Sequence, residues 1–356
     1  MQQQLRDLKD FSYWQRRIFE DILLKPGKHV LIQGYTGAGK TNVLNWLANG
    51  FLMARNKTPS EQWETLVWFD RGKSSEILQL AKFAPLRLIM PEGCEMEIQF
   101  FNEEDETIND IEQVHFSNPS QIWRALDRDR INIICIQRFL VDPSKFAPVV
   151  GKIFKSLILE SFNYKIHPFN TNPSIMLPRI TIFIDEINNL APSKGQGSGS
   201  REENSAGAWI QHNIEQLRSQ NIRLIGSVHG WRKVRPGVRS SFPSHVALPG
   251  AYYPSSEKPK LSKFNPMFEK LATGTACFVF EKDIFSDPIL VPWLGEGKEL
   301  GYIMYHGKMK GKKQQEETEE GEEEEKPREI PLSQDTIKQA LLEALNALKP
   351  AQAGGL

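Results

Sequence analysis

Gly34-Tyr35-Thr36-Gly37-Ala38-Gly39-Lys40-Thr41 reads G-x-x-x-x-G-K-T, the spacing of a phosphate-binding loop. Each part has a physical task. Glycines let backbone N–H groups close around phosphate oxygens. Lys40 places a point charge at the β- and γ-phosphates, and Thr41 offers a hydroxyl to Mg²⁺. The helix that starts here adds its positive dipole end. The whole stretch from Gly34 to Thr41 is therefore expected to cradle a nucleoside triphosphate. Its surroundings agree. Val30-Leu31-Ile32 reads as a buried strand, and Val43, Leu44, Leu47, Phe51 and Leu52 recur at helical spacing.

Outward from the loop, apolar runs alternate with helical patterns. Strands are predicted at 29–33, 66–69, 86–90, 131–136, 180–184, 222–228, 245–248 and 276–280, and helices at 5–24, 74–83, 145–161 and 203–218. Continuous Val/Ile/Phe runs are expected of strands covered on both faces. The predicted class is α/β, with a largely parallel central sheet flanked by helices.

Ile180-Thr181-Ile182-Phe183-Ile184-Asp185-Glu186 is the second signal: an apolar strand ending in two carboxylates. Opposite a phosphate loop, Asp185 would hold Mg²⁺ and Glu186 would polarise the attacking water as a general base. The other use of such a carboxylate is a helix N-cap. The pair points to ATP hydrolysis rather than to a small-molecule kinase, and no Asn/Thr-Lys-x-Asp guanine-recognition motif follows. A third apolar strand, starting at Ile222, ends in Ser227-Val228-His229. Placed between the other two strands, it would aim Ser227 or His229 at the γ-phosphate, where a polar group couples phosphate state to movement. A structural role for His229 is the alternative.

Together these residues resemble the HerA/FtsK superfamily of DNA translocases, which have the RecA/ASCE-like P-loop NTPase fold. The resemblance is carried by Leu177 through Leu190, by Arg218 through His229, by Val238-Arg239 and Phe242, and by Trp68-Phe69-Asp70-Arg71-Gly72-Lys73, and it spans about residues 29–280. It implies ATP and Mg²⁺ as cofactors. It also implies a homo-oligomeric ring, commonly a hexamer, around double-stranded DNA held without sequence preference. An arginine donated by a neighbouring subunit is implied too, with Arg239 the first candidate and Arg218 the second. Two positions depart from the family pattern: His229 replaces a Gln, and His245 stands where many members place an Arg. Packaging of viral genomic DNA is the expected setting. The alternatives are a plasmid or conjugative DNA-transfer ATPase, and an assembly switch that never moves DNA.

The 356 residues are 40% hydrophobic and 25% charged, ordinary for a soluble globular protein. No apolar run approaches a membrane span, and Met1-Gln2-Gln3-Gln4-Leu5-Arg6-Asp7 is too polar for a signal peptide. Cys94, Cys135 and Cys277 lack metal-ligand spacing, and Cys135 and Cys277, inside apolar runs, are expected as buried thiols in a reducing cytoplasm, of a host if the chain is viral. Residues 311–356 carry 11 acidic and 6 basic side chains although the whole chain is neutral, leaving a mildly basic body that suits nucleic acid. Arg232, Lys233, Arg235 and Arg239 beside Trp231, and Lys308, Lys310, Lys312 and Lys313, are candidate phosphate contacts. The expected divisions are a helical segment at 1–28, an ATPase domain at 29–310, an acidic disordered linker at 311–328 and an amphipathic helix at 329–349. The linker holds eight Glu between 316 and 325. The helix, with Ile337, Leu341, Leu345 and Leu348 on one face, could dock on a capsid or other protein. The Gly/Ser-rich stretch 192–201, with Lys194 and Arg201, reads as a mobile loop that could reach a pore.

Overall fold

The computed structural model describes residues 13–25, 27–59, 63–70, 74–101, 108–166, 179–193, 201–281, 284–294 and 300–309. These belong to one compact unit, Met1–Lys310; the second unit, Gly311–Leu356, lies outside the described residues, and with it the expected acidic linker and C-terminal helix. Arg71, Gly72, Lys73 and Lys194 also lie outside them.

All eight predicted strands form: β1 (Val30–Gln33), β2 (Thr65–Phe69), β3 (Leu86–Pro91), β6 (Ile131–Ile134), β7 (Ile180–Ile184), β8 (Ile222–Val228), β9 (Ser244–Ala247) and β10 (Thr275–Phe280). The sequence reading missed five more: β4 (Glu95–Phe100), β5 (Ile111–Phe116), β11 (Ile284–Phe285), β12 (Ile289–Leu290) and β13 (Gly301–His306). The main sheet runs β11-β10-β9-β1-β8-β7-β2-β6-β3-β5, with β12 beside β10. It is parallel from β9 to β5 and antiparallel only where β10 meets β9, β11 and β12. β13 and β4 make a separate antiparallel ribbon.

Strand side chains alternate between two apolar layers. Leu31, Val67, Ile182 and Leu224 pack on one face with residues of α4 (Phe146–Ile166) and α5 (Arg201–Ser219). Val30, Ile32, Trp68, Phe183 and Ile225 pack on the other with α2 (Lys40–Arg55). Cover on both faces is why these strands read as unbroken apolar runs. Cys135 and Cys277 are buried free thiols, as expected, and so is Cys94.

The N-terminal helix α1 (Tyr13–Ile18) continues as a wider turn over Phe19–Leu23. Ile18, Phe19, Ile22 and Leu23 join the same apolar layer as α2. Arg223, fully buried in β8, anchors it by donating to the carbonyls of Ile22 and Lys25 and pairing with Glu64 at 2.8 Å. A helix end leaves carbonyls without partners, and a guanidinium with five donors can serve several at once.

Candidate active site

β1 ends at Gln33, and the chain turns through the phosphate-loop residues into α2. Gly37 and Gly39 have φ of 84° and 90°, a region other residues seldom enter. A Cβ on either would meet nothing within 4 Å, so the loop opens onto free space with room for phosphate. Lys40 is buried, and its ammonium donates to the carbonyls of Gly34 at 3.2 Å and Tyr35 at 2.7 Å.

Strand order brings the other elements to this loop. β8 lies between β1 and β7. Ile184 pairs with Gly226 and Ile32 with Ser227, which sets Asp185 level with Ser227 beside the loop. A Cβ on Gly226 would lie 3.1–3.2 Å from Ile187. Glycine there lets the turn after β7 close down on β8.

The polar groups form one connected network. Thr41 Oγ1 donates to Asp185 Oδ2 at 3.2 Å. The Ser227 hydroxyl donates to Asp185 Oδ1 and accepts the Glu186 backbone N–H at 2.9 Å. Asn189 Nδ2 donates to Glu186 Oε2 at 2.9 Å, and His229 Nε2 is 3.1 Å from Glu186 Oε1. The other ring nitrogen, Nδ1, lies 3.0 Å from Lys40 Nζ. An ammonium can only donate, so Nδ1 accepts and the ring hydrogen sits on Nε2, where it donates to Glu186. One imidazole thus spans from the phosphate-loop lysine to the carboxylate at the strand end. Glu186 has φ 57° and ψ 57°, a left-handed conformation that is strained for a non-glycine residue by roughly 1–2 kcal/mol. The surrounding hydrogen bonds hold it there.

Lys40, Thr41, Asp185, Glu186 and His229 are therefore brought together; Arg239 is not. Its guanidinium is buried and donates to Glu257 at 2.7 and 2.5 Å and to the Val234 carbonyl at 2.6 Å. Hydrogen bonds from Arg239 and then Trp231 hold the Glu257 carboxyl below its usual range. Bound at both ends of its fork, Arg239 is a strut within its own chain. Arg218 is exposed, with Glu281 3.9 Å away. His245 is fully buried, with ring contacts to Trp231 and Tyr253 and, among the described residues, no hydrogen-bond partner on either nitrogen. Burial pushes its pKa down to about 3.

The sequence reading missed Asn189, Glu257 and Asn42. The Asn188-Asn189 pair so close behind Asp185-Glu186 was the one available signal. Of the expected basic patch, Arg232 and Lys233 are exposed and Arg235 is half-buried.

A strand between the phosphate-loop strand and the strand bearing the acidic pair, all parallel, defines the fold. It is the P-loop fold of the RecA/ASCE type. No family model matches the chain, and no curated protein matches it. Among solved structures it is similar to the genome-packaging NTPase B204 of Sulfolobus turreted icosahedral virus 2 in complex with AMPPCP. The TM-score is 0.40 and the identity 12%, over 74% of this chain and 100% of that one. EssC (ATPases 2 and 3) of Geobacillus thermodenitrificans gives a TM-score of 0.39 at 14% identity, over 74% of this chain and 42% of that one. The plasmid coupling protein TrwB in complex with a non-hydrolysable ATP analogue gives 0.38 at 11%, over 75% of this chain and 86% of that one. Among the described residues no helix is long and apolar enough to cross a membrane.

Proposed function

We propose that this chain hydrolyses ATP with Mg²⁺ and uses the cycle to move duplex DNA as a homo-oligomeric ring of HerA/FtsK type. The observation that carries the chemistry is the Lys40–His229–Glu186 connection across the mouth of the loop. The donor set also fits the metal. Adjacent oxygens on an octahedral Mg²⁺ lie roughly 3 Å apart, close to the 3.2 Å between Thr41 Oγ1 and Asp185 Oδ2. Bound Mg-ATP supplies the phosphoryl group and the charge neutralisation its transfer needs. Lys40 binds the β- and γ-phosphates, Thr41 and Asp185 hold the metal, and Ser227 fixes the Asp185 carboxylate. Glu186 takes the proton of the attacking water, while His229 and Asn189 aim its two oxygens.

DNA movement is supported by what surrounds this site. Arg232 and Lys233 form an exposed turn directly after β8. Ser193 N donates to the Lys233 carbonyl and Arg235 N to the Ala191 carbonyl, both at 2.9 Å. The cationic turn is thereby joined to the segment leaving Glu186. Packaging of a viral genome is the setting we assign, on the sequence resemblance. The test is ATP turnover with and without duplex DNA, at rising salt. Stimulation that fades with salt is expected, and replacing both Arg232 and Lys233 by Ala should reduce the salt slope of DNA binding by about 2. Turnover indifferent to DNA, with no salt-sensitive binding, would leave an assembly switch instead.

A further inference from the structure

The hydrolysis site fixes which way a nucleotide lies. Asp185, Glu186, Ser227 and His229 all stand on the β8–β7 side of the loop, so the terminal phosphate belongs there. The base must leave on the other side of β1, where β9 and β10 lie. There β12 pairs with β10 and leads into Val291, Pro292, Trp293 and Leu294. Asn42, the residue after Thr41, binds this segment with both arms of its amide. Its Nδ2 donates to the Pro292 carbonyl at 3.0 Å, and its Oδ1 accepts the Leu294 N–H at 3.1 Å. The Asn42 side chain is buried, and the two hydrogen bonds of the clamp are partly buried. Between the two clamped residues stands Trp293, 62% exposed. An indole is a large, costly surface to leave in water, and here it is locked beside the first turn of the phosphate-binding helix.

We infer that Trp293, positioned by Asn42, is the platform on which the nucleobase stacks. This rests on the nucleotide-binding reading above and adds the base subsite to it. A flat ring recognises area and not exocyclic groups. Purine nucleotides should therefore bind in preference to pyrimidine ones, with adenine and guanine little distinguished by this contact. The inference also gives Asn42 a role apart from phosphate binding: it sets the distance from the loop to the platform.

The experiment compares Mg-ADP, Mg-GDP, Mg-CDP and inorganic tripolyphosphate, by calorimetry, on the whole chain and on Trp293→Ala and Trp293→Phe. An exposed side chain can be removed with little effect on folding. Loss of one base–aromatic stack weakens binding by about tenfold. Trp293→Ala should therefore bind ADP and GDP about tenfold more weakly and CDP less affected, with tripolyphosphate unchanged, and Trp293→Phe should recover most of the loss. Unchanged ADP affinity in Trp293→Ala overturns the inference, whether or not its sedimentation shows a lost contact between copies. So does an equal loss for ADP and tripolyphosphate, which would mean that the segment shapes the loop. If the unsubstituted chain binds none of the four ligands, the nucleotide reading itself fails, a result distinct from either of these.

Discussion

Two buried histidines make this fold sensitive to acid, and one of them can be removed cleanly. His245 has no hydrogen-bond partner among the described residues, and burial lowers its pKa from 6.5 to about 3; Lys258 nearby adds to the depression. His29, also buried, is lowered from 6.5 to about 4. Its Nδ1 accepts the Leu224 N–H at 3.0 Å, so the hydrogen is on Nε2, which donates to the Ile214 carbonyl at 3.0 Å. Protonation would need the lone pair that Leu224 already occupies. The sign follows directly. Between the folded and unfolded values the unfolded chain binds a proton that the folded chain refuses, so stability is full above pH 6.5 and falls as pH drops below it. At pH 5 each histidine removes about 2 kcal/mol relative to pH 7, and the two together about 4 kcal/mol.

His245→Phe keeps a ring of similar size against Trp231 and Tyr253 and removes two unpaired buried nitrogens. It should leave the protein at least as stable at neutral pH, since each orphaned polar group costs about 1–3 kcal/mol. It should also remove about half of this acid loss, some 2 kcal/mol. Urea unfolding at pH 7 and pH 5 measures both. An acid loss as large in His245→Phe as in the unsubstituted chain would refute the reasoning, because it would mean that the folded protein protonates this ring or that water reaches it.

Three further outcomes concern the site and its surroundings. Glu186→Gln should lower kcat by about 100-fold or more while ADP affinity holds. Asn189→Ala, which removes one charge-assisted hydrogen bond from the same carboxylate, should lower kcat by about tenfold with KM unchanged; steady-state kinetics separates the two. Arg239→Ala should destabilise the isolated chain by about 2 kcal/mol, since Glu257 is a third exposed and keeps part of its hydration. Melting at protein concentrations too low for assembly checks this, and an unchanged Tm there would return Arg239 to the role of a residue donated between subunits.

What was legible in the sequence was local or periodic. The glycines at 37 and 39 and the apolar runs of β1, β7 and β8 are short-range signals, and the strand order assembles them as the motifs require. β4 and β13 escaped notice because they pair across some 200 residues, and β4 alternates glutamates with apolar side chains. Such a pattern looks like loop until its partner is known. The partner of Arg239 was hidden for a related reason. A basic residue in a basic stretch reads as surface charge, and Glu257, which turns it inward, lies in a segment with no periodicity of its own. Asn42 is invisible in the same way: a helix residue by position, it works through a segment 250 residues away.

The nonlocal contacts decide how the loop's state could reach the rest of the chain. Lys40 holds His229, His229 and Asn189 hold the Glu186 carboxylate, and the Glu186 backbone is held by Ser227. Glu186 remains left-handed only while these contacts outweigh its strain. Drawing the Lys40 ammonium toward a phosphate would remove one partner of His229 and free its ring to turn. The carboxylate would then lose its contact with His229 and keep that with Asn189. From Asn189 the chain runs through Ala191 and Ser193, which are hydrogen-bonded to the turn bearing Arg232 and Lys233. On the proposed function, a strained residue between the group that meets the phosphate and a cationic turn would supply the coupling that the motor needs. Exchanging His229 for Gln tests it. Gln keeps one donor for Glu186 but, with its shorter reach, cannot also span to Lys40. Basal ATP turnover should then survive in part, while its stimulation by DNA is lost. Equal stimulation in both proteins would mean that the signal travels by another route.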